Sequence, residues 1–190
     1  MIRFLTDKTV SLIRYGQGSI VNLSGELEAA LIAEGAAESF PVISKPVEVL
    51  SSSAVAVPCA STGVEEVLAS FVIPAGTLGV NSILQIEPLW TFASSGNNKI
   101  LKVKVAGIPI YTTTRTTSAK ECPLIVLANR NSLSSQIQPY DNNYGTAGSG
   151  APSIYSVDFS VNQTMQITAQ RTVTEALVLE YYRALHFVGD

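Results

Sequence analysis

The chain carries a single histidine, His186, so any Ser-His-Asp or Cys-His catalysis would have to pass through it. No nucleophile-elbow motif accompanies it, and it sits near the end of a strand-like run. His186 therefore reads as a sheet-surface or interface residue. A zinc site would need His186, Cys59 and Cys122 to converge, and their positions show no ligand spacing. Asp141, Asn142 and Asn143 cluster side-chain oxygens without the ligand order of an EF-hand, which favours an Asx turn. Glu65, Glu66, Glu87, Asp141, Asp158, Glu175 and Glu180 are the carboxylates that could meet as a glycosidase pair, and nothing in the sequence couples any two. The glycines match neither GxGxxG nor the P-loop. Catalytic, cofactor and metal residues are thus expected to be absent, and the chain is expected not to be an enzyme.

The elements that would position any site are β-strands. From Leu84 to Phe92, Leu84, Ile86, Trp90 and Phe92 share one parity, opposite Gln85, Glu87 and Thr91. Leu101, Val103 and Val105 then alternate with Lys102 and Lys104. A period of two with one apolar face marks half-buried antiparallel strands. Lys99, Lys102 and Lys104 are placed on the outward face, as a solvated edge-protecting stripe or a seat for an acidic partner. Pro74-Ala75-Gly76 and Gly96-Asn97-Asn98 supply turn chemistry between strands.

Hydrophobic residues make up 46% of the 190 residues and charged ones 14%, which a packed core readily accommodates. So little charge fits either a surface buried against copies or a partner, or a monomer covered by Ser, Thr and Asn. A net charge of −3 and a pI near 5.2 argue against nucleic-acid binding. The two cysteines, far apart and outside any CxxC pair, form no disulfide framework, whether or not they meet in space. The first ten residues include Asp7 and Lys8 and do not read as a signal peptide, and no run approaches a membrane span.

Residues 1–40 read as a small strand–helix module. Ile2 to Leu5 and Val10 to Ile13 are strand candidates, Ser24 a helix N-cap, and Gly35 the residue that stops the helix. Leu27 and Leu31 give that helix its packing face. Residues 41–62, with three prolines and a serine run, read as an extended linker, with a meandering edge strand as the alternative. Residues 63–190 hold the main domain. Its further strands are expected at Glu66–Ile73, Ile108–Thr113, Leu124–Leu127, Tyr155–Val161, Met165–Ala169 and Leu177–Phe187, in a sandwich or barrel. In the last strand Leu177, Leu179, Tyr181, Leu185 and Phe187 are expected to share a face. Residues 138–153 are rich in Gly and Pro and form a long loop, either a contact surface or mobile. Its Tyr140, Asp141, Asn142, Asn143 and Tyr144 are the candidate partner contacts, with Trp90 beside them if exposed.

Two stretches carry a family resemblance. GQGSIVNLSGELEAALIAEGAAE (16–38) resembles a small module of tailed-bacteriophage structural proteins, through Val21, Leu23, Ala29, Leu31, Ile32, Gly35, Ala37 and Glu38. IPAGTLG (73–79), the Trp-bearing strand, SGNNKILKVKVAG (95–107), ANRNS (128–132) and QTMQITAQ (163–170) are similar to phage virion proteins. The resemblance implies a mainly β chain with a jelly-roll-like antiparallel sandwich, at the virion surface after assembly in the host cytoplasm. It implies capsid decoration or cementing, a head fibre or a tail tip, and no active site. The expected partners are the major capsid protein or another virion protein and copies of the chain itself, with a trimer favoured. A host glycan or protein receptor is the alternative partner; nucleic acid, membrane and cofactors are not expected.

Overall fold

The computed structural model describes residues 2–4, 8–10, 13–15, 20–21, 25–39, 47–139 and 150–189. The chain divides into two compact units, Met1–Ser44 and Lys45–Asp190.

In the first unit, β1 (Ile2–Phe4) is flanked by β4 (Ile20–Val21) and β5 (Ala37–Ser39), both antiparallel to it. β2 (Lys8–Val10) and β3 (Ile13–Tyr15) form a separate hairpin. Val10 and Ile13, expected on one strand, instead lie opposite each other across that hairpin. Ser24 lies outside the described residues. Helix α1 (Gly25–Ala33) ends as the sequence indicates. Gly35 takes φ +67°, its N–H bonds the carbonyl of Ile32, and that of Ala36 bonds Leu31, both at 3.0 Å. Those two bonds are the Schellman pattern, which satisfies carbonyls the helix end leaves open. Leu31 is buried and Leu27 half-buried, while Ile32 is exposed.

The second unit begins with β6 (Val47–Ser53) and β7 (Val57–Pro58), inside the segment expected to be linker. Both pair with the last strand, so this stretch belongs to the sandwich edge. Its apolar period is hidden because the pairing slips between Val49 and Ser51, a bulge that places Val49 outward and leaves Leu50 packed on the core. Next come β8 (Glu66–Ile73), β9 (Ile83–Phe92), β10 (Lys99–Val105), β11 (Ile108–Arg115), β12 (Lys120–Glu121) and β13 (Ile125–Asn129). The chain finishes with β14 (Gln136–Gln138), β15 (Ser153–Tyr155), β16 (Gln163–Arg171) and β17 (Leu177–Phe187).

One sheet runs β11-β10-β16-β8 and the other β15-β14-β13-β9-β17-β6, with β12 and β7 as short additions on β9 and β17. All of these pairings are antiparallel. Number β6, β8, β9, β10, β11, β13, β16 and β17 from one to eight. The sheets then read 1-8-3-6 and 2-7-4-5, the order of a jelly roll, with the β14–β15 hairpin added beyond the sixth strand. The core lies between them: Leu84, Ile86, Trp90 and Leu127 from one sheet against Leu101, Val103, Met165 and Ile167 from the other. Trp90 stacks on Tyr111 at 6.3 Å between ring centroids and is fully buried, so it is a core residue and not a contact residue.

Three expectations fail for identifiable reasons. Lys99 shares the parity of Leu101 and Val103 and points inward, fully buried, whereas Lys102 and Lys104 face out. Its ammonium meets Glu175 at 3.0 Å, Ser95 Oγ at 2.7 Å and the Thr116 carbonyl at 3.0 Å, which makes an inward lysine tolerable. In β17 a bulge at Glu180 switches faces: Leu177 and Leu179 point inward before it, Ala184 and His186 after it. Tyr181, Leu185 and Phe187 therefore face outward. Tyr155–Val161 is no strand beyond Tyr155. Val157 and Phe159 plug the core from a loop, and the Val157 backbone pairs with the Gln136 side chain, its N–H donating to Oε1 at 2.8 Å and its carbonyl accepting from Nε2 at 3.0 Å.

The turn at Pro74-Ala75-Gly76 forms as expected, with the Thr77 N–H on the Pro74 carbonyl and Gly76 at φ +72°. Gly189 lies so close to Asn81 that a Cβ would sit 2.2 Å from its carbonyl oxygen, which leaves room for glycine alone.

Candidate functional site

The candidate contact residues Tyr140, Asp141, Asn142, Asn143 and Tyr144 lie outside the described residues. The loop that holds them joins β14 to β15, and Gln138 pairs with Ser153 at its root. At that root, between edge strand β11 and the β12–β13 and β14–β15 segments, opens a cleft of about 630 Å³. Tyr111, Thr113, Arg115, Glu121, Gln138 and Tyr155 are among its lining side chains.

Alternation along β11 puts Tyr111, Thr113 and Arg115 on one parity, and Glu121 arrives from β12, held beside Trp90 of β9. The Tyr111 hydroxyl donates to Glu121 Oε1 at 2.5 Å. Arg115 grips both carboxylate oxygens, Nε to Oε2 at 2.5 Å and Nη2 to Oε1 at 2.9 Å. This fork is the strong bidentate form of an ion pair. Burial pushes the Glu121 carboxyl up, but the hydrogen bonds from Arg115 and Tyr111 outweigh it and hold it below the usual carboxylate range. Burial, then the bond to Glu121, pushes the Tyr111 hydroxyl well above its ordinary range. Glu121 is thus held ionised and Tyr111 protonated near neutrality, so neither is poised to exchange a proton. Gln138 donates from Nε2 to the Ile110 carbonyl at 2.7 Å and ties the two sheets across the cleft. With Arg115 and Glu121 paired, the described lining presents hydroxyls from Thr113, Ser153 and Tyr155 with aromatic faces. Such a lining suits a neutral, polyhydroxylated ligand.

His186 is not on a sheet surface. It is buried, and Nε2 lies 2.9 Å from Ser82 Oγ with Glu48 3.6 Å from Nδ1. This resembles a Ser-His-acid series but cannot act as one. Ser82 is only 2% exposed, and its Oγ already accepts the Gly79 N–H at 2.8 Å, so no carbonyl carbon can reach it. The group instead holds the start of β9 against β17.

Of the carboxylates that could have paired, Asp141 lies outside the described residues and the other six are each otherwise engaged. Glu65 binds Lys102 and Lys104, Glu87 binds Arg183, and Glu175 binds Lys99. Glu66 accepts the Ser61 N–H, Asp158 the Ser160 N–H, and Glu180 the Thr91 hydroxyl. Lys102 and Lys104 converge on Glu65, so they offer no open seat for an acidic partner. Both cysteines are free, Cys59 buried and Cys122 exposed. Among the described residues no three His, Cys, Asp or Glu side chains group as a metal site, and no described helix is long and apolar enough to cross a membrane. The Tyr111–Arg115–Glu121 group went unnoticed in the sequence because its acid lies on a separate two-residue strand with no motif spacing.

No family model matches the chain, and no curated protein does. Among solved structures, the chain is similar to the VP2 subviral particle of infectious bursal disease virus. The identity is 12% over 74% of this chain and 40% of that one, with a TM-score of 0.31. The Gx strain of that virus matches at 12% identity over 97% of this chain and 50% of the other, with a TM-score of 0.26. The chain spans half or less of the length of these neighbours. The jelly-roll assignment stands on this chain's own strand order and not on these likenesses.

Proposed function

We propose that the chain is a structural virion protein whose jelly-roll unit decorates or cements a phage capsid. The observation that carries this reading is the organisation of the chain: a jelly-roll sandwich over residues 45–190 joined to a separate small unit over residues 1–44. One unit can anchor while the other is displayed, and the jelly roll is an architecture that viral coats use. The step from fold to role is analogy, strengthened by the resemblance of both stretches to tailed-phage virion proteins. Electron microscopy of virions, with the chain located on the particle, tests it. Density at the capsid lattice supports decoration, and density confined to the tail tip overturns it.

A second reading is favoured by the cleft at the root of the 138–153 loop: a receptor-binding module for a host glycan. Its hydroxyl-rich, charge-neutral lining fits a saccharide better than an acidic or apolar ligand. On a glycan array, binding that disappears when residues 141–149 are removed supports this reading, and an intact chain that binds no glycan overturns it.

A further inference from the structure

The outward face of the larger sheet carries a row of apolar residues that runs through all six strands. Register places Val47 opposite Phe187, Phe187 opposite Ile83, and Ile83 opposite Ala128. Ala128 in turn lies opposite Ile137, and Ile137 opposite Ile154. Directly opposed residues in an antiparallel sheet project from the same face. In the four inner strands the neighbours that point the other way, among them His186, Leu84, Leu127 and Gln138, are buried, so this row faces out. Val47, Ile83 and Ile154 are 40%, 38% and 55% exposed. A second row continues the stripe: Val49 opposite Leu185, Leu185 opposite Gln85, Gln85 opposite Val126. The sheet face of a solvated sandwich should alternate to polar at these positions. Here it does not.

We infer that this face is where a second copy of the chain docks, sheet against sheet about a twofold axis. Size is the first argument. The six strands together hold 39 residues, each covering about 3.4 Å by 4.8 Å of the sheet, so the face is roughly 640 Å². That lies at the small end of the share, about 600–1,000 Å², that each partner brings to a stable interface. Charge is the second. The rung beyond the two apolar rows pairs Arg183 with Glu87, Nη2 to Oε2 at 2.6 Å, one cation beside one anion. A twofold axis through such a rung turns Arg183 toward the partner's Glu87 and Glu87 toward the partner's Arg183, so the face is complementary to itself. A partner carrying net charge of one sign would gain no such match. Sheet faces packed on each other are a standard way to bury residues of this kind, at a spacing of about 10 Å. A face that binds its own copy closes with two, where the sequence reading favours three. This inference rests on the sheet face alone and stands or falls apart from the virion reading.

Light scattering on the full chain at micromolar concentration tests it. The expected mass is twice that of the 20.2 kDa chain. Val49→Lys and Ile83→Lys are each expected to reduce it to a single chain with unchanged circular dichroism. Val49 is 61% exposed, so its substitution leaves folding intact even if that of Ile83 does not. Val72→Lys, 54% exposed on the other sheet, is expected to leave the doubled mass unchanged. A wild-type mass of one chain overturns the inference, as does a mass of three chains. A dimer that survives both Val49→Lys and Ile83→Lys, or one that Val72→Lys dissociates, places the interface elsewhere and overturns it too.

Discussion

Single side chains in this protein do work that backbone usually does. Gln136 is fully buried and bonds the Val157 N–H and carbonyl, the Asn129 Oδ1 at 3.1 Å and the Leu133 carbonyl at 3.3 Å. It stands in for a strand that residues 156–161 never form. Gln136→Leu would keep the volume and strand both Val157 backbone groups, at about 3 kcal/mol. Urea denaturation should show that loss, and a change under about 0.5 kcal/mol would contradict the role. Glu65 makes a second residue-scale prediction. Burial pushes its carboxyl up, but hydrogen bonds from Lys102, Lys104 and Thr168 prevail and bring it down to about 2. The folded value lies below the unfolded one, so the stabilisation is fully present above about pH 4.5 and fades as pH falls toward 2. Solvent screening keeps it near 1 kcal/mol. Glu65→Gln should therefore be less stable than wild type at pH 7, and the gap in denaturation midpoints should close on acidification. A gap that stays constant with pH would rule out this ionic origin.

Strands were legible where parity runs unbroken and obscure where it shifts. β9 keeps one parity from Leu84 to Phe92, and its inward set was readable directly. β17 has the same apolar content, but the extra residue Glu180 switches its face midway, and no local signal announces a bulge. β6 hides its period the same way, inside a serine run that resembles linker. The opposite error arose at Tyr155, Val157, Phe159 and Val161, whose alternation runs from the end of β15 into a loop where Val157 and Phe159 plug the core and Val161 is exposed. Apolar spacing reports which side chains are buried; it does not report where their backbone hydrogen bonds go. The Lys99 error is of a related kind, since its charge suggested solvent while its parity placed it inside. Glu180 is the extra residue, so its deletion leaves Leu179 opposite Trp90 and Tyr181 opposite Leu89 in unbroken alternation and keeps Leu177, Leu179, Ala184 and His186 inward. The deletion variant should therefore still melt cooperatively on heating, at a cost under about 3 kcal/mol. Loss of the cooperative transition in circular dichroism would show that the bulge itself is required for the sandwich.

At the scale of the molecule, two compact units and a jelly-roll strand order define what the chain can be. The sandwich class was readable from strand number and turn spacing, while the jelly-roll order needed the pairings themselves. The site was the least legible part. The candidate contact residues lie outside the described residues, and the cleft beside Gln138 and Ser153 depends on Glu121 reaching Arg115 across two sheets. If the chain decorates a capsid, its binding must be saturable and must depend on the particle. The direct measurement is to incubate purified chain with capsids that lack it and to sediment the mixture over a range of concentrations. Co-migration that saturates at a fixed number of copies per particle is the predicted result. Chain that stays in the supernatant at every stage of head expansion would contradict it.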